Sequence, residues 1–124
     1  MNQKRNLAAA ICAAMLIAPM AGMAHHATST FYTEEIIHVD GKIVEVVWAN
    51  PHGVLVIQDG GGEYWVGEMA SVLSLAQEGL GSADLPVGME IRVDALSSRD
   101  GTHRIHIEAI QAGEKVLYGE PTDL

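Results

Sequence analysis

Over most of the chain apolar and polar residues alternate with a period of two, and that period predicts strands. Ile36 to Trp48 is long and rich in β-branched residues, with Gly41 in its middle where a bulge or bend would let the strand curve. Val54-Leu55-Val56-Ile57 is a short apolar strand, and Asp59-Gly60-Gly61-Gly62 is a hairpin turn leading into a third strand, Glu63 to Met69. The period then changes. Ser71 reads as an N-cap, Val72, Leu75 and Ala76 form a short helical stripe, and Gly79 stands at the C′ position with Leu80 placed to fold back on the last turn. Met89, Ile91, Val93 and Ala95 alternate again, Arg99-Asp100-Gly101 reverses the chain, and His103, Ile105, Ile107 and Ala109 make a fifth strand. A long bent strand, two meander strands, a helix and two more strands predict a mainly β domain: a five-stranded Greek-key barrel of the OB type, with one short helix between strands 3 and 4. An open antiparallel sheet with the helix on one face is the competing layout.

The first 24 residues do not share this pattern. Lys4 and Arg5 precede an apolar run from Leu7 to Pro19, and Gly22-Met23-Ala24 offers small residues for a peptidase, so a secretory leader cleaved after Ala24 is expected. The run is shorter than the roughly 20 residues of a membrane span. Cys12, the only cysteine, lies inside it and follows Ile11, where a lipidation signal needs a small residue. The processed chain would have no cysteine, so disulfides, a thiolate nucleophile and thiolate zinc sites are excluded. The expected organisation is a leader (1–24), an extended arm (25–35), one barrel domain (36–118) and a tail (119–124), in the periplasm.

Charge narrows the partners. Without Lys4 and Arg5 there remain five basic residues against sixteen acidic ones, a formal charge of −11 with histidine neutral. Such a surface repels phosphates, so nucleic acid and anionic lipid are poor partners, whereas cations or a basic protein suit it. There is no triad with recognisable context, and the three glycines at 60–62 join strand to strand rather than cradling a phosphate before a helix, so no enzyme activity is expected.

Candidate chemistry lies in the histidines. Trp48-Ala49-Asn50-Pro51-His52 sets an imidazole just beyond an Asn-Pro corner, on a short tether. Cleavage after Ala24 would give His25 a free α-amine, which with its own imidazole chelates one ion. A further imidazole from His26 or His52 completes a three-nitrogen site of the kind copper(II) favours. Amine and ring bind when deprotonated, and ordinary values of about 7.7–8.0 and about 6.5 make that accessible at neutral pH. Glu68 and Met69 would add an oxygen or a thioether. His103 and His106, three apart on a strand, point to opposite faces and do not chelate together, and His38 reads as a lone exposed strand residue. The alternative is a non-metal module that binds a periplasmic protein or small ligand, with an exposed aromatic or apolar patch near Trp65 and scattered histidines.

His25-His26 behind a leader, Trp48 to His52, Glu68-Met69 and Arg99-Asp100-Gly101 together resemble a family of small bacterial periplasmic proteins known as a domain of unknown function. The resemblance covers nearly the whole processed chain and departs from the usual pattern at Ala27 to Phe31. It implies the compartment and the OB-like fold, and it implies no activity. Size, compartment and topology are also similar to periplasmic copper chaperones of the OB type, an architectural likeness only.

Overall fold

The computed structural model describes residues 28–123. The leader expected over 1–24, and His25 and His26, lie outside the described residues. The domain is mainly β. Its strands are β1 (Tyr32–Val47), β2 (Val54–Asp59), β3 (Tyr64–Glu68), β4 (Glu90–Ser98), β5 (Arg104–Ala112) and β6 (Lys115–Tyr118), with helix α1 (Val72–Gln77) and a single 3-10 turn (Ser82–Asp84) between β3 and β4. The sheet order is β3-β2-β1-β4-β5-β6 with antiparallel neighbours, and β3 makes a further, parallel pairing with β5.

Among the described residues six strands stand where five were expected. The sixth returns through a turn at Gly113, whose φ is +60°, and pairs Ala112 with Lys115. The first strand begins at Tyr32 rather than Ile36, and residues 28–31 before it are helical. Tyr32 is paired with Ser98 and is only 5% exposed, so the strand is tied down well before its apolar stretch begins.

The period-two reading of β2, β4 and β5 translates directly into burial. Leu55 and Ile57 of β2, Ile91, Val93 and Ala95 of β4, and Ile105, Ile107 and Ala109 of β5 are all buried, and they share one core with Leu75, Leu80, Leu85 and Met69. Helix α1 follows its sequence signals. Ser71 accepts from the Ser74 amide at 3.2 Å, Gly79 takes φ +86°, and buried Leu80 donates its amide to the Leu75 carbonyl. The helix is short, and its hold on the domain is Leu75 and Leu80 in the core.

No register shift falls at Gly41, where a bulge or bend was expected. The shifts of β1 lie between Tyr32 and Ile36 and between Ile43 and Glu45, whereas Gly41 pairs with Asp59 on one side and Ile91 on the other. A Cβ at Gly41 would run into the Gln58 carbonyl and come within 2.6 Å of Ile57 Cγ2. The backbone cannot yield as a flexible side chain would, so Gly41→Ala is expected to cost about 1–3 kcal/mol, read as a lower urea midpoint. Gly60→Ala, at a position with nothing within 4 Å, is the control and should move it little.

Candidate functional site

The corner between β1 and β2 is held by the chain leaving β3. Gly53 donates its amide to the Ala70 carbonyl at 3.1 Å, and Met69 donates to the Gly53 carbonyl at 2.8 Å. Asn50 does not cap its own turn. Its Oδ1 accepts from the Val72 amide at 3.2 Å, satisfying one of the free donors at the start of α1. His52 is thus carried on a loop fastened on both sides.

The ring of His52 has two distinct edges. Nδ1 lies 3.2 Å from the Met69 carbonyl and 3.5 Å from Glu68 Oε1. A carbonyl can only accept, so Nδ1 is the protonated, donating nitrogen in that contact. In the neutral ring with Nδ1 protonated the lone pair is on Nε2, and the side chain is half exposed at 49%. Glu68 is oriented in turn, because Tyr32 donates its hydroxyl to Oε2 at 3.3 Å. Burial, and after it the negative charge of Glu68, push the Tyr32 phenol above its ordinary value, so it remains a donor at neutral pH. A carboxylate and a carbonyl behind an imidazole are what hold a metal-binding histidine in one tautomer and one orientation.

This arrangement opens into a cavity of about 480 Å³. His52, Glu68 and Tyr32 form one part of its wall, Arg99 and Arg104 another, and Thr28 and Phe31 bring the start of the described chain to it. Arg99 donates Nε to the Ser29 carbonyl at 2.9 Å and fastens that segment against the β4–β5 turn.

The expected ligands therefore divide. His52 and Glu68 meet in the cavity wall. Met69, expected as a thioether ligand, is fully buried in the core, and the contact it makes with the His52 ring is through its carbonyl. Among the described residues no group of three or more His, Cys, Asp or Glu side chains is placed to hold an ion.

The remaining histidines lie elsewhere. His38 is not the exposed residue expected, for its Nδ1 is 2.7 Å from Oδ1 of Asp94, whose side chain is only 4% exposed. The other oxygen of Asp94 accepts from the Thr122 amide at 2.6 Å and the Thr122 hydroxyl at 3.0 Å. His103 precedes β5 and stacks on Trp65 at 4.2 Å between ring centres. His106 lies against Tyr32 at 5.5 Å, with Nε2 3.5 Å from Glu108 and Nδ1 buried without a partner among the described residues. Trp65 itself donates its indole N–H to Asp59 at 2.9 Å and packs against the core. Its neighbours Tyr64 and Val66 are the exposed residues there, at 54% and 42%.

Sequence reasoning missed Tyr32, Arg104 and Asp94. Tyr32 and Glu68 are 36 positions apart, and nothing local marks the pair. The strand registers are the signal that would have found them: β3 beside β5 sets Val66 opposite Arg104, and β1 beside β4 sets His38 opposite Asp94 and Tyr32 opposite Ser98.

Fold and corner together define a small, mainly β domain with an oriented histidine–carboxylate pair at the mouth of a cavity. Residues 13–106 match a family described as of unknown function (DUF6152), and the chain belongs to that family. A comparison with curated proteins finds no match.

Proposed function

We propose that the chain is an exported module of the OB type that binds a metal ion, copper(II) being the ion best suited to its donors, through His52 together with His25 and His26. The observation that carries this reading is the His52 ring, which lines the cavity while its Nδ1 is engaged by the Met69 carbonyl and lies near Glu68. Thr28, which follows His25 and His26 by three and two residues in the chain, lines the same cavity. The OB-type barrel is supported by the parallel pairing of β3 with β5, which links the two ends of the series β3-β2-β1-β4-β5, and by the helix between β3 and β4. The acidic surface favours cation capture. Export and the periplasm rest on the leader pattern at 1–24.

The test compares copper titration of protein that begins at His25 with protein carrying one extra residue before it. Loss of the terminal amine chelate should weaken binding at least tenfold, while two equally weak curves would overturn the terminal site. That outcome would favour a second reading, a protein-binding module. Its support is the outer face of β1 to β3, where Val47, Tyr64 and Val66 are 41%, 54% and 42% exposed.

A further inference from the structure

The cavity of about 480 Å³, a size within the range of small-molecule sites, departs from the rest of the surface in charge. Of the five Lys and Arg side chains after residue 24, set against sixteen carboxylates, Arg99 and Arg104 both line it. Elsewhere Arg92 is bidentate on Asp40 and Lys42 lies 3.8 Å from Glu90. Among the described residues neither arginine of the cavity makes an ion pair, and the Arg104 side chain makes no hydrogen bond. Glu68 and Asp100 share the wall, yet both are engaged by other groups. Glu68 Oε2 accepts from the Tyr32 hydroxyl at 3.3 Å, and Asp100 Oδ1 accepts from the Ser98 and Thr102 hydroxyls, each at 2.6 Å, and from the Thr102 amide at 3.0 Å. The Arg104 charge reaches that wall. Burial and then Glu68 raise the Tyr32 phenol against the opposing pull of Arg104, and the Asp100 carboxyl, held at about 2 first by Ser98 and Thr102, is lowered further by Arg104. Arg99 also fastens the other side, donating its amide to the Phe31 carbonyl at 3.0 Å and its Nε to the Ser29 carbonyl at 2.9 Å. Phe31, 65% exposed, brings an uncovered aromatic residue to the same cavity.

We infer that this cavity binds, without any ion, a small organic monocarboxylate with an apolar body, Arg104 and Arg99 taking the carboxylate and Phe31 the body. A single exposed arginine is ordinarily just solvated. Two that share a concave wall with an uncovered aromatic ring, in a domain otherwise rich in carboxylates, make a place where an anion is admitted rather than repelled. The planar guanidinium fork matches the two oxygens of a carboxylate, and the resulting hydrogen bonds are charge-assisted. Glu68 and Asp100 in the same wall repel a second negative charge, which favours a monoanion over a phosphate or a dicarboxylate. An apolar body lying on Phe31 removes apolar surface of both from water. The inference goes beyond the metal proposal and does not draw on it, since neither the guanidinium groups nor the phenyl ring is a metal ligand.

The experiment uses the full chain expressed with its own leader and dialysed against EDTA, and follows backbone amide shifts by NMR on titration with phenylacetate, phenylacetamide, acetate and phenyl phosphate. Wild type should bind phenylacetate saturably, with shifts centred on Phe31, Arg99 and Arg104, and at least about tenfold tighter than Arg104→Gln, because hydrogen bonds to a charged group are lost. Arg104→Lys should recover part of that loss. Phenylacetamide, the uncharged analogue, should bind wild type and Arg104→Gln alike, and acetate and phenyl phosphate should each bind wild type more weakly than phenylacetate does. Phe31→Ala should weaken phenylacetate and leave acetate unchanged. Both residues are exposed, and the spectra report directly that each variant keeps its fold. Absence of saturable phenylacetate binding, or equal affinity in wild type and Arg104→Gln, would overturn the inference, and tighter binding of phenyl phosphate would overturn the carboxylate class. Because no ion is present, failure here leaves the copper proposal standing, and failure of the copper titration leaves this inference standing.

Discussion

Asp94→Ala is expected to destabilise the domain by about 1–3 kcal/mol and to free the segment after Gly119 for proteolysis. The carboxylate is 4% exposed and accepts from His38, the Thr122 amide and the Thr122 hydroxyl, so it joins β1, β4 and the chain end in one cluster. Its removal takes the shared acceptor from the partly buried His38 imidazole and from the amide and hydroxyl of Thr122, which is exposed enough for water to replace part of what is lost, so the cost comes mainly from the His38 side and from untying the segment that holds Thr122. The bidentate Asp40–Arg92 pair has comparable geometry, but its side chains are 64% and 51% exposed, so Asp40→Ala should cost less than about 1 kcal/mol. Denaturant midpoints of the two variants decide between burial and bond count as the source of stability, and equal losses would refute the argument.

The same cluster sets a pH dependence. Burial pushes the Asp94 carboxyl up, but the Thr122 amide, His38 and the Thr122 hydroxyl together hold it below the ordinary value. A carboxylate depressed in the folded state stabilises above its unfolded pKa of about 3.9 and loses that contribution as pH falls through the folded value. Acid titration from pH 5 downwards should therefore erode wild type more than Asp94→Ala. Asp100, held at about 2 by Ser98 and Thr102, acts in the same direction in both proteins and cancels from the difference.

The parts of the fold legible in the sequence were those governed by local chemistry. Alternation in β4 and β5 is visible because each strand has one face in the core, and Ser71 and Gly79 mark α1 because capping depends on the residues at its own ends. The sixth strand was not legible. Lys115-Val116-Leu117-Tyr118 has no alternation, and only the flanking Gly113 and Gly119 hinted at it. The extension of β1 to Tyr32 was hidden for a related reason, since Thr33, Glu34 and Glu35 are polar and the strand there is kept by pairing, by buried Tyr32 and by the 2.8 Å hydrogen bond between the Thr33 and Ser97 hydroxyls. The site divides in the same way. The His52 corner could be read because Asn-Pro and a following histidine are adjacent, but Tyr32 behind Glu68 and Asp94 behind His38 depend on register between strands 36 and 56 positions apart. Glu68 and Met69 look alike as ligands in a sequence, and only the strand pleat sends one into the cavity wall and the other into the core.

That difference gives the sharpest functional expectation. His52→Ala should lower copper affinity at least about 100-fold, because loss of a ligand exceeds the roughly 10–100-fold typical of the groups that orient one. Glu68→Gln keeps the shape but removes the charge behind the imidazole, and should fall near the tenfold end of that range. Met69→Leu conserves volume in the core and leaves the carbonyl that meets Nδ1 untouched, so it should hold copper affinity within about threefold, with a stability cost below about 1.5 kcal/mol. His52 is half exposed, and its loss should change stability by no more than about 1 kcal/mol, so an affinity effect cannot be laid to unfolding. Competition against a chromophoric chelator measures all three on one scale. Wild-type affinity in His52→Ala would remove the corner from the site altogether, and a loss in Met69→Leu equal to that in His52→Ala would mean that the sulfur, not the carbonyl, is what Met69 contributes.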